Sequence, residues 1–450
     1  MFRLLLTTAN CNYSKMASVH AIPSLDEQYE FTAESKRRLI IGGAVGVALV
    51  ALGAFLLSAG VGEHAHEVVQ GKGLGEGHEG SHGHYSWVTR LWANVWVNAV
   101  YFTGISVAGM FFLSYNYLAQ AGWSSVIKRV PEAMPAFLPV TGIILLLVFL
   151  VAKHDLFHWT HESLYDPASH DYDSIIAGKR GFLNQPFFLA RLAFYFISWY
   201  MLWRILRNQS LQEDLHGGTD YYYNSMKYGT AFLVVFAVTS STAAWDLIMS
   251  IDTHWFSTMF GWYTLASWHV AGLATMTLTV VMLKEQGYLK AVNQSHLHDM
   301  GKFVFAFSIF WTYVWFAQFM LIYYANLPEE AIYYRERFSG YGGIYLAPFF
   351  VNLFLNFVFP FLVLMTRDAK RTTLLLKVAC WGVIVGHYFD FYTNIMPGTV
   401  GEHAGFGPLE FGMILIFACA FIWSVSTQLT KANLIAKNHP LLEEALHHDI

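Results

Sequence analysis

Charge is scarce in this chain. Only 13% of its 450 residues are Asp, Glu, Lys or Arg, about half the share of an ordinary soluble domain. A soluble chain of this length needs far more charged surface, so a water-soluble globular protein is excluded. Neither sign dominates: the formal net charge is −4, which leaves no basic footprint for nucleic acid. Cysteine is almost missing. Cys11 stands near the start, and Cys380 and Cys419 stand in apolar segments. They form no CxxCH haem attachment and no cysteine run for an iron–sulfur cluster, and disulfide stapling is not expected. Any redox centre that this protein serves must sit on another chain, or be a b-type haem or a quinone. A secretory signal is not expected, because Met1–Leu6 is too short for its apolar core. Met16 is an alternative start, since residues 1–15 match nothing that follows.

Apolar residues fill the space that charge leaves, at 55% of the chain, with 17% aromatic. Several segments stay apolar for about 20 residues, the length that crosses ~30 Å of hydrocarbon as a helix. The expected fold is all-α: a polytopic membrane protein with ten spans near 38–59, 92–118, 135–153, 186–206, 228–249, 258–284, 303–326, 344–366, 373–394 and 408–430. Residues 1–37 and 431–450 are then tails. Ten spans put both tails on one side. Of the 27 lysines and arginines, 19 fall on the side of the tails and 7 on the other, with Arg191 inside a span. The excess marks the side of the tails as cytoplasmic. The two long connections, 60–91 and 154–185, lie outside. The first is Gly- and His-rich; His78, His82 and His84 impose no metal geometry, so a solvated linker is expected. The second is polar enough to be an ordered or partner-covered surface loop.

Ionisable residues inside spans are rare and count as functional candidates. Most here fall towards the outer side. His154, Asp155 and His158 close the third span, Arg191 stands in the fourth, and Asp246 lies near the outer end of the fifth. His387 and Asp390 share a face of the ninth span at i, i+3 spacing, Glu410 opens the tenth, and His269 stands nearest the middle. The inner half shows few titratable side chains, so no continuous relay is expected. Each residue also has a bland reading. Arg191 forms a structural pair with Asp246 or Asp155, His158 and Glu410 sit at headgroup level, and His269 is a hydrogen-bonded interior residue. The 239–242 hydroxyl run satisfies backbone carbonyls. Chemistry that suits the cluster is proton removal from a quinol, or a proton half-channel to the outside. A b-type haem between His269 and His387, a secondary transporter and a purely structural scaffold stay open as alternatives.

The stretch "WDLIMSIDTHWFSTMFGWY" (Trp245 to Tyr263) resembles a motif of the membrane subunits of alternative complex III. These belong to the NrfD/polysulfide-reductase membrane-anchor family. The ten spans, "HDLFHWTHESLYD" and "FLNQPFFLARLAFY" resemble the second of that complex's two paralogous membrane subunits over roughly residues 35–430. The resemblance implies two four-helix bundles, about 92–249 and 258–394, with the first and last spans peripheral. It implies a component of a quinol:electron-acceptor oxidoreductase in the bacterial inner membrane. Menaquinone or ubiquinone is the expected ligand, with no haem or iron–sulfur cluster on this chain. Expected partners are lipids, the iron–sulfur subunit, the paralogous membrane subunit, haem c subunits and a terminal oxidase. The family's quinol pocket maps to the region of His154, Asp155, His158 and Arg191. Asp246, His269, His387, Asp390 and Glu410 are the candidates for proton transfer.

Overall fold

The computed structural model describes residues 25–60 and 86–449. The His- and Gly-rich connection, most of the N-terminal tail and the Met16 question lie outside the described residues. Ten long helices carry the fold: α1 (Ala33–Ser58), α2 (Trp87–Leu118), α3 (Leu138–Leu156), α4 (Gln185–His216), α5 (Asp220–Ala244), α6 (Met259–Glu285), α7 (Gln294–Ala325), α8 (Leu346–Val363), α9 (Thr373–Val400) and α10 (Pro408–Leu429). The chain is therefore an all-α, multi-pass membrane protein. Local chemistry sets several helix starts. Thr32, Ser86 and Asn184 accept backbone N–H bonds as N-caps, and Pro186 and Pro408 stand in first turns, where a missing N–H is harmless.

Among the described residues, nine of these helices are long and apolar enough to cross a membrane, and α4 falls short of the tenfold expectation on apolarity. The reason is which side its polar groups face. Arg191, Arg207, Ser210 and Glu213 are buried, whereas Phe194, Ile197 and Met201 are exposed on the opposite side. The outer surface of α4 is thus as lipid-compatible as its neighbours', and its length of 32 residues gives ~48 Å.

Contacts at the two ends show that α4 runs the length of the molecule beside the other helices. At one end, the terminal end, the described parts of the two tails meet: Leu434 N–H donates to Glu27 O at 2.8 Å, and Asn438 Nδ2 donates to Asp214 O at 2.9 Å. Asn293 Nδ2 donates to His448 O at 2.6 Å there. At the other, the loop end, Lys179 reaches Thr253 O, Arg90 Nη1 donates to His403 O at 3.3 Å, and Tyr345 donates to Gly401 O at 2.6 Å. Since α4 runs from the Lys179 side to Asp214, it spans the molecule.

Helices α2–α5 pack as one four-helix group and α6–α9 as a second, while α1 pairs with α10 along the side of α2. The groups join chiefly through α2 and α6. Gly104 permits this: a Cβ there would lie 1.7 Å from Trp268 Cδ1. Small residues do the same between α1 and α10, where a Cβ on Gly412 would stand 2.6 Å from Gly46 O. Lipid supplies no hydrophobic drive for helix association, so close backbone approach and dispersion contacts hold such pairs.

Candidate functional site

Asp246 stands where α5 widens into a π turn, Trp245–Met249. Within it Ser250 N–H donates to Trp245 O at 2.8 Å. Such wide turns re-aim side chains, and here Asp246 is 1% exposed. Its carboxylate is fully engaged. Arg191 donates Nε–H to Oδ2 at 2.8 Å and Nη2–H to Oδ1 at 2.7 Å, and Tyr195 donates to Oδ2 at 2.7 Å. Arg191 also donates to Phe182 O at 3.1 Å, with its guanidinium over the rings of Phe182 and Phe187. This is the bidentate geometry of a strong charge-assisted pair. Asp246 thus pairs with Arg191, while the His387/Asp390 pair belongs to the other bundle.

Asp390 is solvated differently. It is wholly buried, and every donor to it among the described residues is neutral. Tyr263 donates to Oδ1, as do Asn352 at 3.0 Å and Asn394 at 3.5 Å. Ser267 donates to Oδ2 at 2.7 Å, and Trp311 Nε1–H at 3.2 Å. His387 Nδ1 lies 4.0 Å from Oδ2 and 2.9 Å from Ser267 Oγ. His387 Nε2 is buried without a hydrogen-bond partner among the described residues. Four helices, α6, α7, α8 and α9, supply these groups. No lysine or arginine of the described residues pairs with Asp390.

Between Asp390 and the loop end runs a polar path that sequence reasoning missed. A small cleft is lined by Tyr263, Gln318, Tyr333, Arg337, Asn352 and Asn394, with further side chains around them. Tyr333 donates to Asn394 Oδ1 at 2.8 Å, and Asn394 Nδ2 donates to Tyr263 Oη at 3.3 Å. Arg337 donates to Asn394 O at 3.2 Å and to Asp252 Oδ2 at 2.7 Å, stacked 3.4 Å over the Tyr333 ring. Beside it, burial first and then the Asp252 charge push the Glu336 carboxyl up to about 7, against the pull of Arg337 and Arg335. Arg337 and Glu336 belong to the surface helix Pro328–Phe338. Its charged, amphipathic sequence carried no signal that one face docks over a buried carboxylate.

The remaining candidates scatter. Glu410 is wholly buried. It accepts from Arg90 Nε–H at 2.8 Å, from Asn94 Nδ2 at 3.1 Å and from Gly407 N–H at 2.7 Å. That makes it an ion pair and the N-terminal cap of α10. His269 is buried in a cage of Phe111, Tyr115 and Phe307 rings, with neither ring nitrogen hydrogen-bonded among the described residues. His154 and Asp155 lie at the loop end, where both are exposed and His158 is half-buried. His154 Nδ1 lies 3.1 Å from Thr160 Oγ1. Arg191 is committed to Asp246 and Phe182 O. The candidates expected on one outer side fall into four separate groups: Arg191 with Asp246, His387 with Asp390, Arg90 with Glu410, and His154 with Asp155 and His158.

The expectation of an inner half poor in titratable groups is overturned. Lys128, Arg129, Glu132, Arg207 and Glu213 are all buried near the terminal end. Glu132 accepts from Arg129 at 2.6 Å, Arg207 at 2.5 Å and Ser210 at 2.6 Å. Lys128 donates to Glu213 at 2.6 Å, and Arg129 also pairs with Asp214. Between this network and Asp246, the inward side of α4 presents Trp199 and Trp203. They donate to Thr239 Oγ1 at 2.9 Å and Glu132 O at 2.8 Å. Indole N–H groups donate but do not accept, so these two side chains relay no proton between the network and Asp246. Of the hydroxyl run, Thr239 and Thr242 bond back to Val235 O and Val238 O, whereas the Ser240 hydroxyl is buried without a partner among the described residues. Comparison of the chain with protein-family models and with curated proteins finds no match.

Proposed function

We propose that this chain is the proton-handling membrane component of a quinol-oxidising respiratory complex of the alternative complex III type. It sits in a bacterial inner membrane with the terminal end cytoplasmic. The observation that carries the reading is Asp390, a wholly buried carboxylate held by neutral donors. Only neutral groups donate to this carboxylate, and no lysine or arginine of the described residues pairs with it. A quinol must shed protons as its electrons leave, and a buried carboxylate with a route outward suits that task. The route is the cleft past Tyr263, Asn394 and Tyr333 to Asp252 and Glu336. Buried waters complete such paths where polar lining and room allow. The redox metals then lie on partner subunits. His154 and Asp155 stand at the loop end, with Asp155 exposed, so a quinol near them would sit between this chain and its iron–sulfur partner.

A scaffold role is favoured for the other bundle by its own geometry. Asp246 is saturated by Arg191 and Tyr195, which supports a structural pair there.

Asp390→Asn in the assembled complex, reconstituted in vesicles, tests the reading. Quinol oxidation coupled to proton release should fall by roughly a hundredfold, the scale of a lost general base. Unchanged turnover and unchanged proton release in a fully assembled Asp390→Asn complex would defeat it.

A further inference from the structure

At the terminal end, the tips of α2 and α5 and the C-terminal tail enclose a second small cleft, lined by Asn116, Ser125, Lys128, Tyr222 and His439, with further side chains around them. Its polar groups are mostly donors. His439 Nδ1 accepts the Leu441 N–H at 3.2 Å, which leaves the ring hydrogen on Nε2. Lys128 Nζ donates to Glu213 Oε2 at 2.6 Å and to Tyr117 Oη at 3.2 Å, which leaves a third N–H. The hydroxyls of Ser125 and Tyr222 have no partner among the described residues, although these two are only 2% and 6% exposed. A buried hydroxyl without a partner is costly, and two in one cleft call for an acceptor.

Depth in the membrane narrows the class of acceptor. The cleft lies where α2 ends at Leu118 and α5 begins at Asp220. Trp123 and the run Tyr221–Tyr223 stand beside it, the aromatic signature of the headgroup level. Leu118 and Tyr223 are exposed next to the cleft, on surface that acyl chains can cover. Glu213 neutralises Lys128, so attraction to a free anion is weak. A ligand already concentrated in the bilayer does not need it.

We propose that this cleft binds the phosphoryl headgroup of a membrane phospholipid, with phosphate oxygens accepting from Ser125, Tyr222, Lys128 and His439. His439 belongs to the C-terminal tail, so the lipid would tie that tail to the bundle. The inference does not rest on the quinol reading.

The double variant Ser125→Ala, Tyr222→Phe tests it, because each change removes a hydroxyl that bonds to none of the described residues. The full chain, stripped of lipid in detergent, is titrated with phosphatidylglycerol and followed by native mass spectrometry and thermal unfolding. Wild type should bind at least one phosphatidylglycerol that the double variant binds about tenfold or more weakly. The lipid-induced rise in unfolding temperature should shrink in step. Equal lipid binding and equal stabilisation in the two proteins would overturn the proposal. So would stabilisation of wild type by inorganic phosphate alone at millimolar concentration, lost in the double variant, since it would make the ligand a free anion.

Discussion

The Arg191–Asp246 pair makes the sharpest prediction about stability. In Asp246→Asn the negative charge goes and one oxygen becomes an amide NH2 that faces donors. If the amide takes the place of Oδ2, Arg191 Nε–H and Tyr195 O–H both lose their acceptor; if it takes the place of Oδ1, Arg191 Nη2–H does. The guanidinium is then buried without its counter-charge, which costs about 3–5 kcal/mol. Two features pull towards the lower figure. Arg191 keeps Phe182 O and the faces of Phe182 and Phe187, and such ring contacts are worth roughly 0.5–2 kcal/mol. We therefore expect a loss of about 3 kcal/mol for Asp246→Asn and a similar one for Arg191→Met. The double variant should lose far less than the sum, with a coupling of about 1.5–3 kcal/mol. Reversible unfolding in detergent micelles, followed by tryptophan fluorescence, measures the cycle. Losses that add to within about 0.5 kcal/mol would refute the claim that the two side chains act as one unit.

Three further perturbations separate the parts of the fold. Gly104→Ala puts a methyl 1.7 Å from Trp268 Cδ1; overpacking should cost at least about 3 kcal/mol, read as a lowered unfolding temperature, and Gly104→Ala at wild-type stability would contradict the α2–α6 packing. Glu132→Gln leaves Arg129 and Arg207 facing a neutral amide, so a loss of about 3–5 kcal/mol should appear as poor folded yield on size exclusion. Glu336 supplies a pH dependence. Its folded pKa is raised from 4.5 to about 7, so the folded state holds its proton longer than the unfolded chain. That contribution is fully present below about pH 4.5 and is lost as pH rises to about 7, with a ceiling near ~3 kcal/mol and less after solvent screening. Glu336→Gln should flatten the fall in unfolding temperature over that window, and an unchanged pH profile would show that the carboxyl titrates normally.

How far the sequence could be read depended on the range of each interaction. Asp246 with Arg191 was legible as a pair because two opposite charges in adjacent spans have few other partners in lipid. His387 with Asp390 was legible because i, i+3 spacing on one helix needs no tertiary information. The neutral shell of Asp390 was not: Tyr263, Ser267, Trp311 and Asn352 are common span residues, and only helix packing makes them converge. Lys128, Arg129 and Arg207 flank apolar runs, and nothing local to them signals burial. Burial followed from Glu132, Glu213 and Asp214, most of which lie far off in the chain.

The sequence by itself determined the all-α class, the membrane setting and the close placement of most spans. These follow from composition and from runs of about 20 apolar residues, a property of each segment alone. Tertiary structure decided which face of α4 meets lipid. It decided that Glu410 caps a helix, that two carboxylates at similar depth belong to separate bundles, and that Asp246 gains a cation where Asp390 pairs with none among the described residues. Those outcomes depend on where side chains sixty or three hundred residues apart come to rest, and no local pattern encodes that distance.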